Sequence, residues 1–318
     1  MCRFTGFFVI MILLFSCDNE KKINKKNQSI DKHLLTKIEA IKLKEDIYKN
    51  YNKDLLIKRS QEMKDRKVKI NNRQMKFDLK FFGEKPTSGW KLYFHLHGGG
   101  GVSDSINEKE WIRNQTLHRV KNGIILIPRS PTNTWNMWHQ AHIDTFLNRL
   151  IQNMIAFHDV NPNRIYLMGR SAGGDGVYQL STRMADRFAA TAMMAGHPNE
   201  TSPLGLRNIG FTIQMGEKDS AYDRNKVAID WRERLEFLKE NDSEGYNHWV
   251  AIYKDKGHWV DYLDSSAIGW ITQFKRNPYP KKVVWKQDDV MHNRFYWLRT
   301  NDPIERSLIV ASITDQTI

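Results

Sequence analysis

The 318-residue sequence has only two cysteines, Cys2 and Cys17, both near its start. Everything after Cys17 therefore lacks both disulfides and cysteine metal sites, even in an oxidising compartment. No apolar run reaches the ~20 residues a helix needs to cross a bilayer. No group of His, Asp and Glu has metal-ligand spacing, and no glycine pattern suits a nucleotide phosphate. No metal and no cofactor is expected. The chain also lacks a repeat period of the kind that builds a propeller. Its formal charge of +13 raises the question of nucleic acid. The basic excess, however, lies early: residues 18–80 hold 19 Lys/Arg against 10 Asp/Glu. That stretch has no nucleic-acid motif and no aromatics spaced for base stacking, so a nucleic-acid partner is not expected.

What is present begins with a targeting segment. Arg3 precedes an apolar run over residues 7–15, the length of a signal-peptide core. The run ends at Leu14-Phe15-Ser16-Cys17, which resembles a bacterial lipobox, although Phe15 is bulkier than that pattern prefers. Residues 1–16 are read as a signal peptide and Cys17 as the lipidated N-terminus, against the alternative of an ordinary cleaved leader. Residues 17–66 then form a Lys-rich tether followed by amphipathic helix over about 34–63. This predicts an envelope protein, periplasmic or on the cell surface, held to the membrane by its lipid.

Residues 67–278 alternate strand and helix patterns. Period-two alternation at 67–70 and 75–81 predicts a hairpin through Asn71-Asn72. Apolar runs at 92–96, 124–128, 165–168, 188–195, 211–215 and 248–253 predict buried strands. Helices are expected around Trp111, over 144–158, after Gly174, over 224–240 and over 262–274. Such alternation implies an α/β fold with a mostly parallel sheet covered on both faces. Residues 279–318 change character and read as a small β-rich tail, with strands near 283–285, 294–298 and 307–311. The last falls so close to Ile318 that the unit reads as incomplete.

The chemistry centres on Gly169-Arg170-Ser171-Ala172-Gly173, a G-x-S-x-G sequence between a predicted strand and a predicted helix. Asp219 follows a later strand and His258 the next. His97-Gly98-Gly99-Gly100 lies upstream at the end of another strand. This ordered set resembles the α/β-hydrolase superfamily over about residues 67–276. Asn161-Pro162-Asn163-Arg164-Ile165-Tyr166, leading into the serine turn, is similar to secreted esterases of the feruloyl-esterase and polyhydroxybutyrate-depolymerase type. The resemblance implies Ser171 as nucleophile, His258 as base and Asp219 as the acid that orients it. The chemistry agrees: a serine hydroxyl needs a base to take its proton, and that base needs a fixed tautomer. The Ala172 N–H and one from Gly99 or Gly100 are the expected oxyanion donors.

Blander readings stand beside these. Ser171 could simply cap the following helix. Asp223 competes with Asp219, and His197 and His97 compete with His258. Asp175 reads as a helix N-terminus contact. His97, Arg170, Trp135, Trp138 and His197 are candidate substrate-lining residues. The predicted activity is carboxylic ester hydrolysis through an acyl-enzyme, with ester groups on polysaccharide as plausible substrates. A prolyl-oligopeptidase-type serine peptidase and a non-catalytic glycan-binding lipoprotein are the alternatives.

Overall fold

The computed structural model describes residues 35–314. The leader, Cys17 and the tether lie outside the described residues. The chain divides into two units, Met1–Ile47 and Tyr48–Ile318. Of the first, the start of helix α1 (Lys37–Lys58) is described. It opens on a capping box. The Thr36 N–H donates to Glu39 Oε2 at 2.8 Å, and the Glu39 N–H donates to Thr36 Oγ1 at 3.3 Å. The amphipathic character expected here is weak: Leu55 is buried, but Leu56 and Ile57 are exposed. No described helix is long and apolar enough to cross a membrane.

In the second unit α2 (Ser60–Lys64) leads to the hairpin β1 (Lys67–Ile70) and β2 (Arg73–Phe82), which turns at Asn71 as expected. Then follow β3 (Trp90–Leu96), α3 (Asp104–Leu117), β4 (Gly123–Pro128), α4 (Ala141–His158), β5 (Val160–Arg170) and α5 (Ala172–Arg183). The series ends with β6 (Ala190–Met194), β7 (Gly210–Gly216), α6 (Arg224–Asn241), β8 (His248–Tyr253) and α7 (Ser266–Ile271). The sheet has eight strands in the order β1-β2-β4-β3-β5-β6-β7-β8. β2 runs antiparallel to β4, and all pairs from β4 to β8 are parallel.

Side chains alternate between two cores because successive strand residues point to opposite faces. Leu92, Phe94, Ile124, Leu126 and Leu167 face α4, α5 and α6. Tyr93, Ile125, Ile127, Tyr166 and Met168 face Trp111 of α3 and Ile268 and Ile271 of α7. Both faces are thus covered, as a parallel sheet requires. Two details differ from the sequence reading. Asn161-Pro162-Asn163 does not precede the strand but lies inside β5 as a bulge, since Trp90 pairs with Val160 while Leu92 pairs with Ile165. The last helix is short, because a separate 3-10 turn, Leu263–Ser265, takes its first residues.

The tail forms two antiparallel pairs. β9 (Lys282–Lys286) pairs with β12 (Leu308–Ser312), and β10 (Arg294–Phe295) pairs with β11 (Leu298–Arg299). What reads as one strand over 294–298 is therefore a tight hairpin, turned at Tyr296 with φ 53°. Trp285 stacks on Phe295 with ring centroids 5.6 Å apart, and both join the core beside α4, α5 and α6.

Candidate active site

β5 reaches the carboxyl end of the sheet and reverses at one residue. Ser171 holds φ 57° and ψ −126°, a region that costs a residue with a side chain about 1–3 kcal/mol. The turn is pinned on both sides. The Ser171 N–H donates to the Met194 carbonyl at 3.0 Å, and the Asp175 N–H donates to the Ser171 carbonyl at 2.9 Å. A Cβ at Gly173 would run into the Leu96 carbonyl, and one at Gly169 into the Gly173 carbonyl. The glycines are there because strand and helix cross too closely for side chains. Ala172 opens α5, so its N–H belongs to the first turn, where donors lack intrahelical acceptors and the helix dipole is positive.

Asp219 and His258 lie beyond the ends of β7 and β8, on loops stitched to each other. The Lys218 N–H donates to the Lys256 carbonyl at 2.7 Å, and the Glu217 N–H to the Tyr253 carbonyl at 3.0 Å. His258 Nδ1 and Asp219 Oδ2 are 2.7 Å apart, with Asp219 only 2% exposed. If Asp219 accepts the Nδ1 proton, Nε2 keeps its lone pair. Asp223, the competing acid, is exposed and pairs with Lys226 at 2.8 Å. Among the hydrogen bonds of the described residues, none joins Ser171 Oγ to His258.

Arg170 ties the two halves together. Its Nη2 donates to the His258 carbonyl. Its guanidinium lies 4.4 Å from the Trp259 ring, which Arg113 also approaches at 4.7 Å. Arg170 is therefore better described as a clamp on the His258 loop than as a lining residue. Arg170→Gln is expected to lower kcat ten- to hundredfold with KM nearly unchanged, because a misplacement of about 1 Å costs that much. Steady-state kinetics on an ester checks this; a rise in KM alone would assign Arg170 to binding instead.

Of the two glycines expected to offer a donor, Gly100 is already engaged. The Gly100 N–H donates to Asn107 Oδ1 at 2.9 Å, and Asn107 Nδ2 returns a bond to the Gly100 carbonyl at 3.0 Å. Gly100 is thereby committed, and Gly99 (φ 103°) is left facing the cleft with Ser171 and Ala172. Asn107, fully buried, was invisible to sequence patterning because nothing local marks it.

Two expected lining residues are instead structural. His97 is buried, with Nδ1 2.6 Å from the Gly98 carbonyl and Nε2 accepting the Ser130 N–H at 3.1 Å. Trp138 is also buried, and its Nε1 donates to the His97 carbonyl at 3.0 Å. They brace the glycine loop from behind. Burial pushes the His97 imidazole down to about 3, and protonating Nε2 would turn an acceptor against the Ser130 donor. Between pH 6.5 and about 3 the unfolded chain binds a proton that the folded chain refuses. This stabilisation is full above pH 6.5 and falls with pH through that window. His97→Gln is expected to flatten the loss of unfolding free energy between pH 7.5 and 4.5 by roughly 2 kcal/mol. Urea titrations at the two pH values read it, and parallel losses in both proteins would refute it.

The cleft itself has a volume of about 590 Å³. Trp135, Asp175, His197, Asn199, Tyr222 and Arg224 line it. Asp175 Oδ1 accepts the His197 N–H at 2.6 Å, and His197 Nδ1 accepts the Asn199 N–H at 2.9 Å. Burial pushes the Asp175 carboxyl up to about 6, partly offset by the His197 N–H and by Arg224. Among the described residues no group of three or more His, Cys, Asp or Glu could hold a metal ion.

No protein-family model matches this chain, and neither does any curated protein. Solved structures do. A thermostable esterase is 19% identical, with a TM-score of 0.50 over 66% of this chain and 62% of that one. The chain thus spans under two thirds of that esterase's length. A ferulic acid esterase is 15% identical, with a TM-score of 0.45 over 65% of this chain and 95% of that one. A phospholipase/carboxylesterase from Dyadobacter fermentans is 15% identical, with a TM-score of 0.44 over 64% and 99%. The chain has the α/β-hydrolase fold, with extra antiparallel strands at its C-terminal end.

Proposed function

We infer that this chain is a serine hydrolase that cleaves carboxylic esters through an acyl-enzyme on Ser171. One observation carries the reading: a strained serine elbow and an Asp219–His258 pair at 2.7 Å share one end of a parallel sheet.

In this mechanism Ser171 Oγ attacks the acyl carbon while His258 Nε2 takes its proton. Asp219, ionised, holds the imidazole in that tautomer and balances its positive charge. The carbonyl oxygen becomes an oxyanion between the Ala172 and Gly99 N–H groups, each such donor contributing ~3 kcal/mol. Collapse expels the alcohol, which receives the proton from His258. Water, deprotonated by the same imidazole, then releases the acid and restores Ser171. Ester groups on a polysaccharide suit the cleft, because Trp135 and Tyr222 at its rim are 63% and 77% exposed and offer flat faces to a sugar ring.

The proposal extends to the cell envelope. Signal-peptide cleavage before Cys17 and lipidation of its thiol would hold the enzyme at a membrane surface. Mass spectrometry of the membrane fraction should then find a diacylglyceryl group on Cys17; a soluble protein with another N-terminus would overturn this part.

A fluorophosphonate probe tests the chemistry. It should label folded protein on Ser171, and a panel of acetyl, feruloyl and acetyl-sugar esters should be turned over faster than peptides. Folded protein that resists the probe and every ester would instead be a non-catalytic binding protein.

A further inference from the structure

Among the described residues, every buried arginine but one has a close acceptor or carboxylate partner. Arg183 meets both Asp144 oxygens and the His139 carbonyl. Arg207 meets both oxygens of Asp242. Arg129 meets Asp104 and Glu108. Arg170 has the His258 carbonyl and the Trp259 ring. Arg224 is the exception. It is 9% exposed, yet among the described residues its only hydrogen bond is a long one, 3.4 Å from Nη1 to the Ala221 carbonyl. Its Nε–H, like those of Arg170 and Arg276, is buried without a partner among the described residues, but Arg224 has no close acceptor for its other nitrogens either. The nearest carboxylate oxygen is Asp219 Oδ1 at 4.0 Å, beyond hydrogen-bond reach. A guanidinium taken from water and left with unused donors is unfavourable, and such groups persist where something outside the chain meets them.

Arg224 lines the same cleft as Ser171 and Ala172. We propose that it is the specificity residue of this cleft, and that the preferred ester carries a carboxylate, bound by Arg224 beside the scissile bond. The planar fork of a guanidinium fits a carboxylate with two parallel bonds. The Tyr222 ring, 4.8 Å from the guanidinium carbon, orients that fork from the other side of the same turn. Asp175 stands in the cleft as well, and Asp219 lies behind, so there is one cation against two acids and an imidazole, His197. Asp219 already has His258 as its partner and burial favours the neutral form of Asp175, so Arg224 can match one added carboxylate, whereas a phosphate dianion would lack a second cation. An acidic sugar with an esterified hydroxyl combines the required groups: a ring for Trp135 and Tyr222, hydroxyls for Asp175 and a carboxylate for Arg224.

This rests on the serine-hydrolase reading, and the test separates the two. The probes are matched pairs in which only the charge differs. Monobenzyl succinate against benzyl succinamate places it on the acyl side, and 4-acetoxybenzoate against 4-acetoxybenzamide on the leaving side. The expected result is at least a tenfold preference in kcat/KM for the anion in one pair, expressed in KM. Arg224→Gln should cut that preference at least tenfold, and Arg224→Lys, which keeps charge but not the fork, should restore only part of it. If Arg224 serves only to bias Asp219, both members of each pair will lose kcat equally and the preference will stay, which overturns the proposal. Turnover of the neutral esters with no preference overturns it too, while leaving the hydrolase reading intact. Absence of both turnover and fluorophosphonate labelling removes both readings together.

Discussion

Ser171→Ala is expected to lower kcat/KM for any ester the protein cleaves by at least ~10⁴, leaving only what the oxyanion donors and binding supply. His258→Ala should cost about as much, and the double variant little more, because nucleophile and base act as one unit. Asp219→Asn is the more discriminating change. It keeps the shape but offers an amide where His258 Nδ1 now finds a carboxylate at 2.7 Å. The imidazole then settles in the wrong tautomer or without its counter-charge, and kcat should fall ~10³–10⁴ with KM little altered. Asp223→Asn, made at an exposed residue paired with Lys226, should change kcat less than about threefold. Circular dichroism would establish that each variant is folded. A Ser171→Ala protein that retains a hundredth of the wild-type rate would remove Ser171 from its role.

The second large effect concerns stability. Asp144 of α4 is 3% exposed and accepts from Arg183 of α5 through Nε at 2.9 Å and Nη2 at 2.5 Å. His292, from the C-terminal extension, lies 2.7 Å from Oδ2, the oxygen that also accepts from Arg183 Nε. Burial alone would push the Asp144 carboxyl up, but Arg183 and His292 outweigh it and hold it below the usual carboxylate range. A depressed carboxyl contributes stability that is present at neutral pH and lost as pH falls below about 4. Arg183→Met would leave a carboxylate in a dry site with one imidazole. The expected loss is about 3–5 kcal/mol at pH 7, seen as a lower urea midpoint at an unchanged slope. The loss should shrink on acidification, as Asp144 takes a proton. Asp144→Leu combined with Arg183→Met should recover most of it, since removing both charges of a buried pair costs far less than removing one. An Arg183→Met protein within 1 kcal/mol of wild type would show that the pair is hydrated.

What the sequence reveals and hides follows from the range of the interactions. The elbow is legible because its cause is local: Gly169, Ser171 and Gly173 are forced on the chain by one tight crossing, and no distant residue need be known. The strands are legible for a related reason. A strand buried on both faces reads as a continuous apolar run, as Ile124-Ile125-Leu126-Ile127 does. The lining of the cleft is not legible. Trp135 and Trp138 sit in one short loop, yet one is 63% exposed at the rim and the other is fully buried behind the glycine loop. Three residues of spacing cannot say which face of a loop meets the core. Asn107 and Arg224 carry no local signal at all, because each matters through a partner or a space brought to it by a crossover.

That a serine turn, then Asp219, then His258 each follow an apolar strand was determined by the sequence alone. Local propensity and burial pattern act over a few residues and survive in one dimension. Which glycine N–H is tied to Asn107, which histidine is sealed in, and that an under-bonded guanidinium faces the cleft were decided only by the tertiary structure. Those properties depend on where water is excluded, and exclusion of water is set by segments far apart in the chain meeting in space.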